Sequence, residues 1–179
     1  LALITAERID TMVKYSLTVR DKPALVTTMM HALCGNAHIS FEGDLSKCQL
    51  NDISGASGEE TTVLKRQTFV PRGSSCPQEG VVVREDFVVI PLEPHTVRPI
   101  LDRILPEGRI VHDVTHVQIE KNGEREFGAY DNFHPGCVVA GSGVPEALLR
   151  DLMSRGVLKS CEVIAVEDSG RPRVIGKIE

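Results

Sequence analysis

The order of hydrophobic periods along the chain predicts an α+β fold: a ferredoxin-like sandwich whose mostly antiparallel sheet carries its helices on one face. Three observations support this. Period-two stretches alternate with stretches of helical spacing. The elements run β-α-β, loop, β-α-β-β, β-α-β, an order that also admits two fused halves. Asn122-Gly123, set between two β-like runs, marks an antiparallel hairpin. The length, 179 residues, fits a single domain over 1–179 that can bury a core without disulfide staples.

Residues 13–19 (VKYSLTV) place Val13, Tyr15, Leu17 and Val19 on one face, the pattern of a half-buried strand. Asp21 is a helix N-cap with Pro23 in the first turn. Leu25, Val26, Met29, Met30 and Leu33 then recur at helical spacing until Gly35 stops the helix. A second strand follows at 38–45. Residues 46–80 form a polar loop or insertion, rich in Gly, Ser and Asp over 46–62, with a strand at 63–70 inside it and turn residues over 72–80. VVVREDFVVIPL (81–92) is β-rich. Pro94 opens a short helix, although Pro99 in its early turns argues for a later start. Strands flank Asn122-Gly123 across 110–133. CVVAGS (137–142) is strand-like, 145–155 is helical with Gly156 as stop, 158–167 is a strand, and the polar tail holds a last short one.

The hairpin register follows from the faces. A two-residue turn would set Val117 against Gly128 and Ile119 against Glu126, mixing apolar and polar sides. A three-residue loop, Lys121-Asn122-Gly123, sets Val117 against Phe127, Thr115 against Ala129 and Val111 against Phe133, which gives one apolar face. The second is the expected register.

Aromatic residues make up 4% of the chain, with no Trp, so the core is aliphatic and no base-stacking platform for single-stranded nucleic acid is expected. The net charge is −5 and the basic residues are scattered, which argues against nucleic-acid and membrane partners. No apolar run approaches the ~20 residues of a membrane span. The five cysteines lack a CxxC pair and the opening LALITAERID has no basic region, so reduced thiols in a cytoplasmic setting are expected.

Chemistry-bearing residues gather near the hairpin base. His112 and His116 form HxxxH, but on a strand their attachment points stand roughly 13 Å apart, too far to share one ion. Asp113 and Asp131 face each other in the expected register, about 5 Å apart. Such a pair shares a proton or a cation, with His134 as a further metal ligand or an acid/base partner, unless the sheet edge reaches solvent here or a bulge separates the two. His134 and Cys137 are a candidate base and nucleophile, with Asp131 completing a catalytic set. The alternative for Cys137 is a small buried hydrophobe at a strand start, and Cys34 and Cys161 fit core positions. Gly141-Ser142-Gly143 is a tight turn or a phosphate cradle, and Glu146 beside it repels an anion.

The stretch KYSLTVRDKPALVTTMMHALCGNAHISFEGDL (14–45) resembles the opening β-α-β of ACT-type regulatory domains. Asp21-Lys22-Pro23-Ala24-Leu25 stands where that family has an Asp-Arg-Pro-Gly-Leu-like turn, and Gly35-Asn36 precedes the second strand. The resemblance implies a ligand-binding turn at Asp21, Lys22 and Ala24, with Ala24 replacing the family's glycine. Three readings of function follow: a non-catalytic small-ligand-binding or regulatory module that forms homo-oligomers; an enzyme built on Asp113, Asp131, His134 and Cys137; and a structural oligomer subunit. The sequence specifies no cofactor.

Overall fold

Lys14–Val19 forms strand β1, with Tyr15 and Leu17 turned inward as the period of two dictates. Asp21 then adopts an extended conformation (φ −115°, ψ 93°) and caps helix α1, Lys22–Leu33, its carboxylate accepting the Ala24 N–H at 3.0 Å. Gly35, at φ +89°, turns the chain into β2, Ala37–Gly43. The computed structural model describes residues 14–65, 81–166 and 172–178. The remaining elements are β3 (Ser57–Lys65), β4 (Val81–Pro91), α2 (Pro94–Ile104), β5 (Val114–Lys121), β6 (Glu124–Ala129), β7 (Val138–Ala140), α3 (Glu146–Ser154), β8 (Leu158–Val166) and β9 (Pro172–Ile178).

The fold is α+β: the described residues form three helices and one open antiparallel sheet of nine strands, ordered β3-β4-β2-β5-β6-β7-β1-β8-β9. Two split β-α-β units organise it. β4 and β5, joined through α2, straddle β2, while β7 and β8, joined through α3, straddle β1. The β5-β6-β7 meander links the two units, so three strands lie between β2 and β1. One apolar row crosses the sheet through paired residues: Ile90, Ile39, Ile119, Phe127, Ala140, Tyr15 and Val163. The buried residues of all three helices join this side in a single cluster. The opposite side carries His38, Ser40 and Glu42 on β2 and His116, Gln118 and Glu120 on β5, as strand alternation requires. Among the described residues no helix is long and apolar enough to cross a membrane.

The hairpin does not take the expected register. Lys121 pairs with Glu124, so the turn is the two residues Asn122 (φ 54°) and Gly123 (φ 81°), both left-handed as a type I′ turn requires. A bulge then leaves Glu126 unpaired between Arg125, opposite Glu120, and Phe127, opposite Ile119. This one-residue slip restores the apolar face that a strict two-residue ladder would mix. It also sets Val117 against Ala129 rather than Phe127.

Two boundaries differ as well. The segment 46–62, expected as loop, holds a 3-10 turn at Leu50–Asp52 and the first part of β3. Cys48, Leu50 and Ile53 anchor this connection in the core. The rest of the strand expected over 63–70, beyond Lys65, and the turn residues 72–80 lie outside the described residues. Helix α2 starts at Pro94 despite Pro99, because the Glu93 N–H donates to Thr96 Oγ1 at 2.9 Å and fixes the first turn.

Candidate functional site: two clefts about a left-handed turn

Beyond β6 the chain makes a turn whose backbone explains the whole region. Asp131, Asn132 and Phe133 have φ of 49°, 55° and 63°, three successive left-handed residues. Each costs about 1–2 kcal/mol in an L-residue, so neighbouring groups must hold them. The His134 N–H donates to the Tyr130 carbonyl at 3.1 Å, and the Tyr130 N–H to the Cys137 carbonyl at 3.0 Å. The Asn132 N–H donates to the Thr115 carbonyl at 3.0 Å, and its side-chain amide donates to the carbonyls of Val114 at 2.9 Å and His112 at 3.2 Å. Lys22 Nζ donates to the Asn132 carbonyl at 2.7 Å and stands 5.7 Å from the centre of the buried Phe133 ring, a cation–π contact.

A cleft opens on each side of this turn. The first, about 550 Å³, is formed by Arg20–Pro23, Arg109–His112 with Val114, and Asn132–Phe133. Its walls are apolar at Pro23, Ile110, Val111, Val114 and Phe133, and cationic at Arg20, Lys22 and Arg109. The second, about 530 Å³, gathers Glu42, Glu85, Asp86 and Asp131 around His116. There His116 Nδ1 is 3.0 Å from Glu42 Oε2 and Nε2 is 3.5 Å from Asp131 Oδ1, so the ring bridges two carboxylates. Asp86 is buried and accepts the Leu45 N–H at 3.1 Å.

The structure distributes the sequence-derived candidates unevenly. Asp21 and Lys22 line the first cleft, but the Asp21 carboxylate is committed to the α1 cap. Ala24 packs against the core instead. Asp113 and Asp131 are not a facing pair, because the bulge at Glu126 shifts the ladder, which ends at Ala129, and Asp131 lies beyond it in the left-handed turn with its carboxylate near His116. Asp113 instead meets Lys47 Nζ at 3.3 Å and His112 Nδ1 at 3.7 Å. Among the described residues no three His, Cys, Asp or Glu side chains converge as a metal site, so Asp113, Asp131 and His134 do not form one. Cys137 does approach both Asp131 and His134: its Sγ lies 3.9 Å from Asp131 Oδ2 and 4.0 Å from His134 Nδ1. Neither His134 nor Cys137 lines the two clefts. At Gly141-Ser142-Gly143 the Gly143 N–H donates to Glu126 Oε2 at 2.7 Å and the Gly141 N–H to the Glu126 carbonyl at 2.8 Å. The bulged glutamate therefore occupies two donors that a phosphate cradle would need.

Arg20, Arg109, Asn132 and Phe133 escaped the sequence reading as site residues. The Asp-Asn pair carried the available signal, since both residues tolerate left-handed backbone.

The thiols differ in burial. Burial, and then the nearby Glu146 charge, push the Cys161 thiol up to about 11. Burial, and then the charges of Asp113 and Asp44, raise that of Cys48. Both should stay protonated and inert near neutrality. Iodoacetamide at pH 8 should therefore label the half-buried Cys137 and Cys34 well before Cys48 and Cys161, as peptide mass mapping would show. Early labelling of Cys161 would contradict its placement. The raised value also sets a sign: the stability that Cys161 lends is full below pH ~9 and is lost as pH rises through ~11.

No protein-family model, curated protein or solved structure matches this chain.

Proposed function

We propose that the protein is a non-catalytic small-ligand-binding or regulatory module whose ligand enters the cleft at the mouth of α1. The observation that carries this is the cleft itself: about 550 Å³, within the range of small-molecule sites, with apolar walls and a few convergent polar groups. The strained turn beside it is fixed by at least four hydrogen bonds to neighbouring segments, as a preformed site needs. The likeness of 14–45 to ACT-type domains supports the same location through Asp21 and Lys22. A ferredoxin-like ancestry, two split units fused through β5-β6-β7, is compatible with such a role. A thermal-shift screen of small acids, amines and neutral compounds should return ligands that raise the melting temperature. Val111→Trp, which fills the cleft, should abolish those shifts. Shifts that persist in Val111→Trp would move the site elsewhere.

A second reading rests on the approach of Cys137 to His134 and Asp131, the arrangement of a thiol nucleophile beside a base. It requires Cys137 to be the fastest-reacting thiol in the labelling experiment above, with the rate falling in His134→Ala.

We also propose that the protein self-associates. Among the described residues the sheet is open at β3 and β9, and β9 exposes Val174 and Ile175, at 49% and 59%. Sedimentation at micromolar concentration should show a species larger than the monomer. A clean monomer would remove this idea.

A further inference from the structure

We infer that the ligand of the first cleft is a small amphipathic anion, with a carboxylate or phosphate head on a short apolar body. This rests on the cleft reading above and names the chemistry that the cleft selects.

The charge distribution supports it. The chain carries a net charge of −5, yet this one cleft collects Arg20, Lys22 and Arg109 against the single carboxylate of Asp21. That carboxylate already accepts the Ala24 N–H. The three cations come from two separated segments: Arg20 and Lys22 at the β1–α1 junction, and Arg109 in the segment before β5. The fold brings Arg109 to the Arg20–Lys22 pair. Among the described residues the Arg20 and Arg109 side chains have no hydrogen-bond or ion-pair partner, so both guanidinium forks are free for an oxyanion. Lys22 is held in place by the Asn132 carbonyl at 2.7 Å and by the Phe133 ring, and one bond leaves two of its three N–H donors open. In the same cleft the half-buried Pro23, Ile110 and Val111 offer an apolar surface that a bare inorganic ion cannot use. The acidic cleft across the Asp131–Phe133 turn repels anions, so the two sides of the turn discriminate charge in opposite senses.

Calorimetric titration with 3-phenylpropionate, its neutral amide 3-phenylpropionamide, phenyl phosphate and inorganic phosphate tests the inference on the full chain. The two aromatic anions should bind, the amide at least tenfold more weakly, and inorganic phosphate more weakly than phenyl phosphate. Arg109→Gln and Arg20→Gln should each weaken anion binding about tenfold. Both residues are exposed, so the variants should fold normally, with melting temperature as the control. Preference between the two anions identifies the head group. Amide binding equal to the acid, and blocked by Val111→Trp, would overturn the anion class and leave the cleft reading standing. Anion binding unchanged in both arginine variants would overturn the inference. Absence of binding by all four probes would overturn it too, while ligands from the broader screen that depend on Val111 would still sustain the cleft.

Discussion

Gly43→Ala is expected to cost about 3 kcal/mol of stability, through backbone strain and overpacking together. Gly43 ends β2 at φ +136°, a conformation that side-chain-bearing residues rarely adopt. A Cβ there would run into the Asp113 carbonyl oxygen and stand 3.0 Å from the Thr115 nitrogen. Both are backbone atoms, so no side-chain rotation relieves the clash. The close approach has a structural purpose. The β2–β5 register shifts between Glu42 and Gly43, and the Asp44 N–H reaches the Asp113 carbonyl at 3.1 Å. That contact fixes 112–115, the segment whose carbonyls hold Asn132 in its left-handed conformation. Gly123→Ala provides the control. Gly123 also has positive φ, 81°, but an added Cβ there meets no atom within 4 Å, so only the conformational cost of about 1 kcal/mol applies. Urea denaturation of both variants measures the difference. Equal losses would mean that the Gly43 contact is not as tight as described.

Local chemistry was legible in the sequence and non-local chemistry was not. Asp21, Pro23 and Gly35 delimit α1 through interactions within a few residues, and the helix runs as they indicate. Asn122-Gly123 marks its own turn. The hairpin register escaped because it depends on Glu126, whose carboxylate binds Gly143 seventeen residues away. Nothing within the hairpin announces that bond. β3 escaped in part because SGEETTVLK is an edge strand paired on one side, where alternation need not be strict. The strand order is set by long-range pairing, which leaves no local mark. The same division holds at the site. Asp131, His134 and Cys137 lie within seven positions, and their approach follows from the Pro135-Gly136 turn. The first cleft draws on three separated segments, and only its 21–24 part was visible beforehand, through the α1 cap.

Phe127→Ala should cost about 3–5 kcal/mol, the range for removing a buried aromatic side chain. Phe127 is fully buried near the middle of the apolar row, paired with Ile119 on one side and Ala140 on the other. Its neighbours are held by three strands and cannot close around the void. The adjacent Glu126→Ala should cost less, about 1–2 kcal/mol, since it removes one charge-assisted bond to the Gly143 N–H and leaves the apolar row intact. The contrast tests the bulge directly. In a strict two-residue ladder Ile119 would face Glu126, and Phe127 would turn to the polar side beside Gln118. Removing the ring would then cost little, and replacing Glu126 by Ala would stabilise the protein by relieving a buried carboxylate. The bulged hairpin requires the reverse order of losses, so urea midpoints at constant slope for the two variants decide between the registers.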